Sequence, residues 1–146
     1  MIELPKYSNQ ELLESLQKYQ KDIIQELLVN NNEDEAIELW INANGPINNV
    51  NFGGMQEKNQ LLKNFKIELC KLLSESPEYE EQVKEIKVYI NLGKDAIISG
   101  LTLALAPKLG TTAIIVVPLV VLAMMSISKV GVKAYCNTIL NREENK

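Results

Sequence analysis

A chain of 146 residues, 46% hydrophobic and 23% charged, has room for one hydrophobic core and is too apolar to stay disordered. It contains no histidine, which excludes histidine acid–base catalysis, Ser-His-Asp and Cys-His nucleophiles, histidine metal ligands and a histidine pH switch. The formal charge of −4 is uneven: residues 1–95 carry ten Lys/Arg and seventeen Asp/Glu, whereas residues 96–146 carry five and two. An acidic body disfavours a nucleic-acid partner, because phosphate binding needs clustered cations.

The first helix has a legible start. Ser8 and Glu11 stand at capping-box spacing. Leu12, Leu13, Leu16, Tyr19, Ile23, Ile24, Leu27 and Leu28 then repeat with a helical period, predicting one helix that ends at "NNNEDE". Asn32 or Asp34 caps a second helix from Glu35 to about Asn44, with Ala36, Ile37, Leu39, Trp40 and Ile41 as its apolar side. Gly45-Pro46 stops it. Residues 46–54 read as a loop whose Val50 and Phe52 tuck onto the core. Gly53-Gly54 lacks the P-loop pattern and the preceding strand that a phosphate cradle requires.

A third helix is predicted from Met55 to Ser74, with Leu61, Leu62, Phe65, Leu69, Leu72 and Leu73 inward. Cys70 lies on that apolar side as a free core thiol, and its distance in sequence from Cys136 matches no metal spacing. Free thiols and an acidic N-terminus without an apolar signal core point to the cytoplasm, or to the cytoplasmic face of a membrane. Ser76-Pro77-Glu78 opens another helix. Its stripe of Val83, Ile86 and Ile90 runs on to Ile97 and Leu101, predicting one helix from Pro77 to about Ala106 with a bend at Gly93.

From Ala96 to Ser128, thirty-three residues carry one charge, Lys108. Pro107, Lys108, Leu109 and Gly110 read as the tip of a helical hairpin. The tip divides a short arm, 96–106, from a longer one that continues beyond Lys129. Ala96, Gly100 and Ala104 recur four apart, a pattern that lets helices approach closely. In the longer arm Ile114, Val117, Pro118, Val121 and Met125 belong to a stretch with no polar face. Such a helix is either central in its protein or surrounded by lipid. Ten Leu/Ile/Val between residues 109 and 128 contribute about −3 to −6 kcal/mol to insertion, against which Thr, Ser, Gly and Pro count. Pro118 removes a helical hydrogen bond and predicts a kink. Lys129, Lys133 and Tyr135 form a pattern typical of a membrane interface.

Together these features predict an all-α bundle of five or six helices. It comprises an acidic amphipathic body, 1–95, and a hydrophobic hairpin with a basic C-terminal helix, 96–146, as one structural unit. Two functions follow. One is a non-enzymatic membrane-active protein, a pore-forming or membrane-disrupting effector with the acidic body as regulator. Its partner is membrane lipid or a second copy through the hairpin, and the acidic helices offer a face to a protein. In layout it resembles the pore-forming toxins and small membrane effectors of bacterial conflict systems, which keep an apolar hairpin within a helical shell. No residue motif accompanies that likeness. The other is a soluble adaptor or homo-oligomeric module that buries the same segment in protein. An aspartate in place of Val117, mid-arm, is chosen to separate them. The pairs Glu35/Glu38 and Glu81/Glu85 read as solvated helix faces rather than catalytic carboxylates. No cofactor or metal is expected.

Overall fold

The computed structural model describes residues 1–44 and 54–144, and every described regular element is helical. The helices are α1 (Asn9–Leu13), α2 (Lys18–Asn30), α3 (Glu33–Asn44), α4 (Gly54–Leu73), α5 (Glu80–Ile90), α6 (Lys94–Leu109), α7 (Ala113–Val130) and α8 (Val132–Glu144). A short 3-10 turn, Pro77–Tyr79, precedes α5. The expected loop with Val50 and Phe52 lies outside the described residues.

Two starts are built as the sequence predicts. The Glu11 amide donates to Ser8 Oγ at 3.1 Å, and the Ser8 amide donates to Glu11 Oε1 at 3.0 Å. Asn32 rather than Asp34 caps α3: the Glu35 amide donates to Asn32 Oδ1 at 2.8 Å, and Glu35 Oε1 accepts from the Asn32 amide at 3.0 Å. These pairs satisfy amides that have no partner inside the helix.

The described residues hold eight α-helices because three predicted long helices are each divided. The first divides between α1 and α2. Lys94 Nζ donates to the Glu11 carbonyl at 2.7 Å, and Ser15 Oγ donates to Asp95 Oδ1 at 2.6 Å. The Ser15 and Leu16 amides turn instead to Leu12 and Leu13, tightening the end of α1. The second division is at Gly93, whose φ of 118° suits glycine. The chain reverses there, and α5 and α6 pack side by side rather than continuing as one bent helix. The third division is at Gly131, with φ 88°, between α7 and α8.

A single core draws residues from every one of these helices. α7 sits at its centre, packed by α3, α6, α8 and α1. Residues 118–125 are all buried, together with Val116 and Ile127. The N-terminal segment adds further cover: the Ile2 amide donates to the Leu73 carbonyl at 2.7 Å, and the Tyr7 amide to Ser128 Oγ at 3.1 Å. Leu39, expected on the inward side of α3, is 40% exposed, while Ala36, Ile37, Trp40 and Ile41 are enclosed.

The cysteines require a correction. Cys70 is buried, but it is not a free thiol: it forms a disulfide with Cys136, Cα to Cα 5.4 Å, joining α4 to α8. The cysteines therefore give no ground for placing the chain in a reducing compartment.

Candidate functional site

The most distinctive chemistry gathers where α7 begins. Pro118 stands inside α7 and has no amide proton, so the Ile114 carbonyl loses its helical partner. Gln20, on α2 and only 3% exposed, supplies a replacement: its Nε2 donates to the Ile114 carbonyl at 3.1 Å. The other end of the same amide, Oε1, accepts from the Gln17 backbone at 3.4 Å at the start of α2. At the next residue of the proline-disturbed segment, Trp40 Nε1 on α3 donates to the Ile115 carbonyl at 3.0 Å. Two buried polar side chains of the acidic body thus bond to consecutive carbonyls of the apolar helix. A buried carbonyl left without a partner costs about 1–3 kcal/mol.

These contacts predict a coupling. Gln20→Leu should destabilise the chain by about 1–3 kcal/mol. In a Pro118→Ala background the loss should shrink, because alanine restores a backbone amide that can bond to the Ile114 carbonyl. Urea denaturation of the four proteins checks this, and strictly additive effects would refute the pairing.

Beside this contact lies a cleft of about 330 Å³ between the α1–α2 junction, α6 and α7. Ile98, Ile114 and Val117 line it with apolar surface, and Glu14, Asp95 and Ser99 bring polar groups. Ser99 belongs also to the outer face of α6. Ala96, Ser99, Leu103 and Pro107 are spaced three or four apart, so they share one side of the helix. None is charged, Ala96 is half-exposed, Ser99 and Pro107 are exposed, and Leu103 is 69% exposed. The inner side of α6, with Ile97, Leu101 and Leu105, faces the core.

The residues singled out in the sequence fall in different surroundings. Gly100 is a close-packing position, but its neighbour is α5 rather than the second arm or another subunit: a Cβ there would lie 2.5 Å from Tyr89 and 2.9 Å from Ile86. Ala104 is half-buried. Pro107, Lys108 and Leu109 are not a tip; they complete the last turn of α6, and the chain turns at Gly110, φ 67°, and the two threonines after it. Lys108 folds back, its Nζ 5.4 Å from the centre of the Tyr79 ring. Pro118, Val121 and Met125 are enclosed, Val117 is half-buried at the cleft, and Ile114 is 61% exposed.

The expected basic interface is also divided. Lys129 pairs with Glu33 at the start of α3. Burial opposes ionisation of Glu33, yet the hydrogen bond from Lys129 holds its carboxyl below the usual range. Lys133 is exposed beside the N-terminal segment. Tyr135 turns inward, its hydroxyl enclosed without a hydrogen-bond partner; burial first, and Asp34 second, push its pKa up.

Sequence reasoning missed Gln20, Ser15 and Asp95. Gln20 stands in an apolar row, four residues from Leu16 and from Ile24, and that polar break is the signal that could have marked it; its partner, a carbonyl freed by a proline in another helix, is not visible in the sequence. Of the carboxylates noted in the sequence, Glu35 caps α3 and Glu81 lies 4.0 Å from Lys84. No family model, curated protein or solved structure matches this chain.

Proposed function

We propose that the chain is a non-enzymatic helical binding module, with α7 as its core and the uncharged outer row of α6, with the adjoining cleft, as its contact face. The observation that carries the reading is the enclosure of α7: residues 118–125 are all buried by helices of the same chain, and Gln20 takes the carbonyl that Pro118 leaves free. Residues 118–125 of α7 therefore need neither lipid nor a second copy to cover them. The occupant that fits the face is a helix of another protein with an apolar side and a basic end. Spacing of three and four residues offers a groove to such a helix, and the carboxylates of Glu14 and Asp95 at the cleft complement its positive end.

The test places a photo-crosslinking residue at Leu103 and, as control, at Lys84. A specific adduct from position 103 alone, lost on Ser99→Arg, which repels a basic end, is the expected result, with the purified chain monodisperse in plain buffer. Adducts only between copies of the chain would replace the partner with a homodimer. Cosedimentation with anionic vesicles and release of their dye would overturn the reading.

A second reading keeps the effector function, with α6 and α7 as an insertion hairpin stored in the acidic body. One observation favours it: α6 and α7 are consecutive, and α7 has the length and composition to cross a membrane, its 18 residues spanning about 27 Å against a hydrocarbon core of about 30 Å. In this reading the Gln20, Trp40 and Glu33 contacts are the bonds that insertion must break.

A further inference from the structure

α8 rests on the body through one apolar side, formed by Val132, Tyr135, Cys136, Ile139 and Leu140. Among its described side chains only Val132 and Cys136 are fully buried, while Tyr135, Ile139 and Leu140 are half-buried. It covers an important place, lying across both α4 and α7. Beneath it run α4 and α7, both of which contribute enclosed apolar side chains to the core. The covalent bond adds to this packing the one link between α4 and α8 that does not depend on noncovalent contacts. The bond also closes a ring with a sequence separation of 66 that contains α5, α6 and α7.

We infer that the Cys70–Cys136 disulfide is a redox clasp that keeps α8 closed over the α4–α7 groove, and that its reduction by a dithiol frees α8 and uncovers the flank of α7. Both cysteines are fully enclosed, so a local loosening around the still-tethered α8 must admit the reductant to the bond. One thiolate of the dithiol then attacks the Cys136 sulfur, and Cys70 leaves as a thiolate and takes up a proton. The second thiol of the reductant displaces Cys136, which is protonated in turn, and the reductant departs as a cyclic disulfide. Two electrons have passed to the protein. With the bond open, α8 is held to α4 by noncovalent contacts only, and local opening becomes more frequent. The inference does not depend on what binds the α6 face, because its readout is α8 itself.

Hydrogen exchange on the full chain tests it, comparing the oxidised protein with protein treated with dithiothreitol and confirmed by thiol titration. Amides of α8 should exchange about tenfold or more faster after reduction, while α3 and α6 keep their protection. Reoxidation should restore the slow rate, and Cys70→Ser/Cys136→Ser should reproduce the fast one without reductant. Should that double variant not fold, the reversible reduction of the unmodified chain decides alone. Unchanged exchange in α8 after confirmed reduction would overturn the clasp. So would simultaneous loss of protection in every helix, which would make the bond a global staple, and so would resistance of the folded chain to dithiothreitol.

Discussion

Val121→Asp should leave no folded protein in plain buffer. Val121 is fully enclosed at the centre of α7, and α7 is packed on several sides by other helices of the chain. An unpaired carboxylate there has no donor within its apolar surroundings, and the cost of several kcal/mol consumes most of the roughly 5–15 kcal/mol that a domain of this size has available. Val117→Asp, the substitution that the sequence suggests for the same purpose, should be far milder. Val117 is half-buried beside the cleft, where an added carboxylate remains hydrated; its cost should be about 1 kcal/mol or less. Circular dichroism melts of both variants, without lipid or detergent, check the pair. A Val121→Asp protein that melts near the parent temperature would mean that α7 is not the centre of the fold.

The second large effect is expected at Trp40. Its ring is 2% exposed on α3, and its Nε1 donates to the Ile115 carbonyl. Trp40→Ala removes both packing and donor and should cost about 3–5 kcal/mol. Trp40→Phe keeps most of the apolar volume but removes one donor to a carbonyl that the Leu119 amide still faces along the helix, and should cost about 0.5–1.5 kcal/mol. The order of the two in urea denaturation separates packing from hydrogen bonding. A Phe variant as stable as the parent would show that the proline-disturbed turn of α7 does not need this donor. In the insertion reading the same Phe variant should also release dye from vesicles sooner, because one of the bonds holding α7 has been removed.

These sites show why some features are legible in the sequence and others are not. The starts of α1 and α3 depend on residues three apart, Ser8 with Glu11 and Asn32 with Glu35, so the sequence displays them directly. The apolar rows of α3 and α4 follow a period that any reader can count. The continuous stripe from Val83 to Leu101 misleads for the same reason. It preserves helical phase across Gly93, but only the packing of Gly100 against Tyr89 and Ile86 reveals that the chain doubles back. Similarly, nothing near Glu11 forecasts that Lys94 will take its carbonyl and end α1.

The candidate site is less legible than the fold. Ile114, Val117 and Pro118 stand out in the sequence for hydrophobicity and kinking, and the structure brings them to the cleft or beside it. Gln20, whose amide answers the proline, shows in the sequence only as a polar break between Leu16 and Ile24, with nothing to name its partner. The pairing of Cys70 with Cys136 is equally silent, because spacing cannot say which distant helices meet.

What the sequence by itself determined is the helical character, the caps, and the demand for burial in the uncharged stretch of α7, which is met fully at residues 118–125 but not at Ile114. Those properties arise from neighbours within one or two turns and from the cost of exposing apolar surface to water. What only the tertiary structure decided is how the requirement is met: α7 is enclosed by its own chain, its proline-freed carbonyl is taken by Gln20, and α8 is fastened to α4 by a disulfide. The reason is that each of these contacts joins residues dozens of positions apart. Burial can demand a partner for a group, but the path of the chain in space chooses which residue serves.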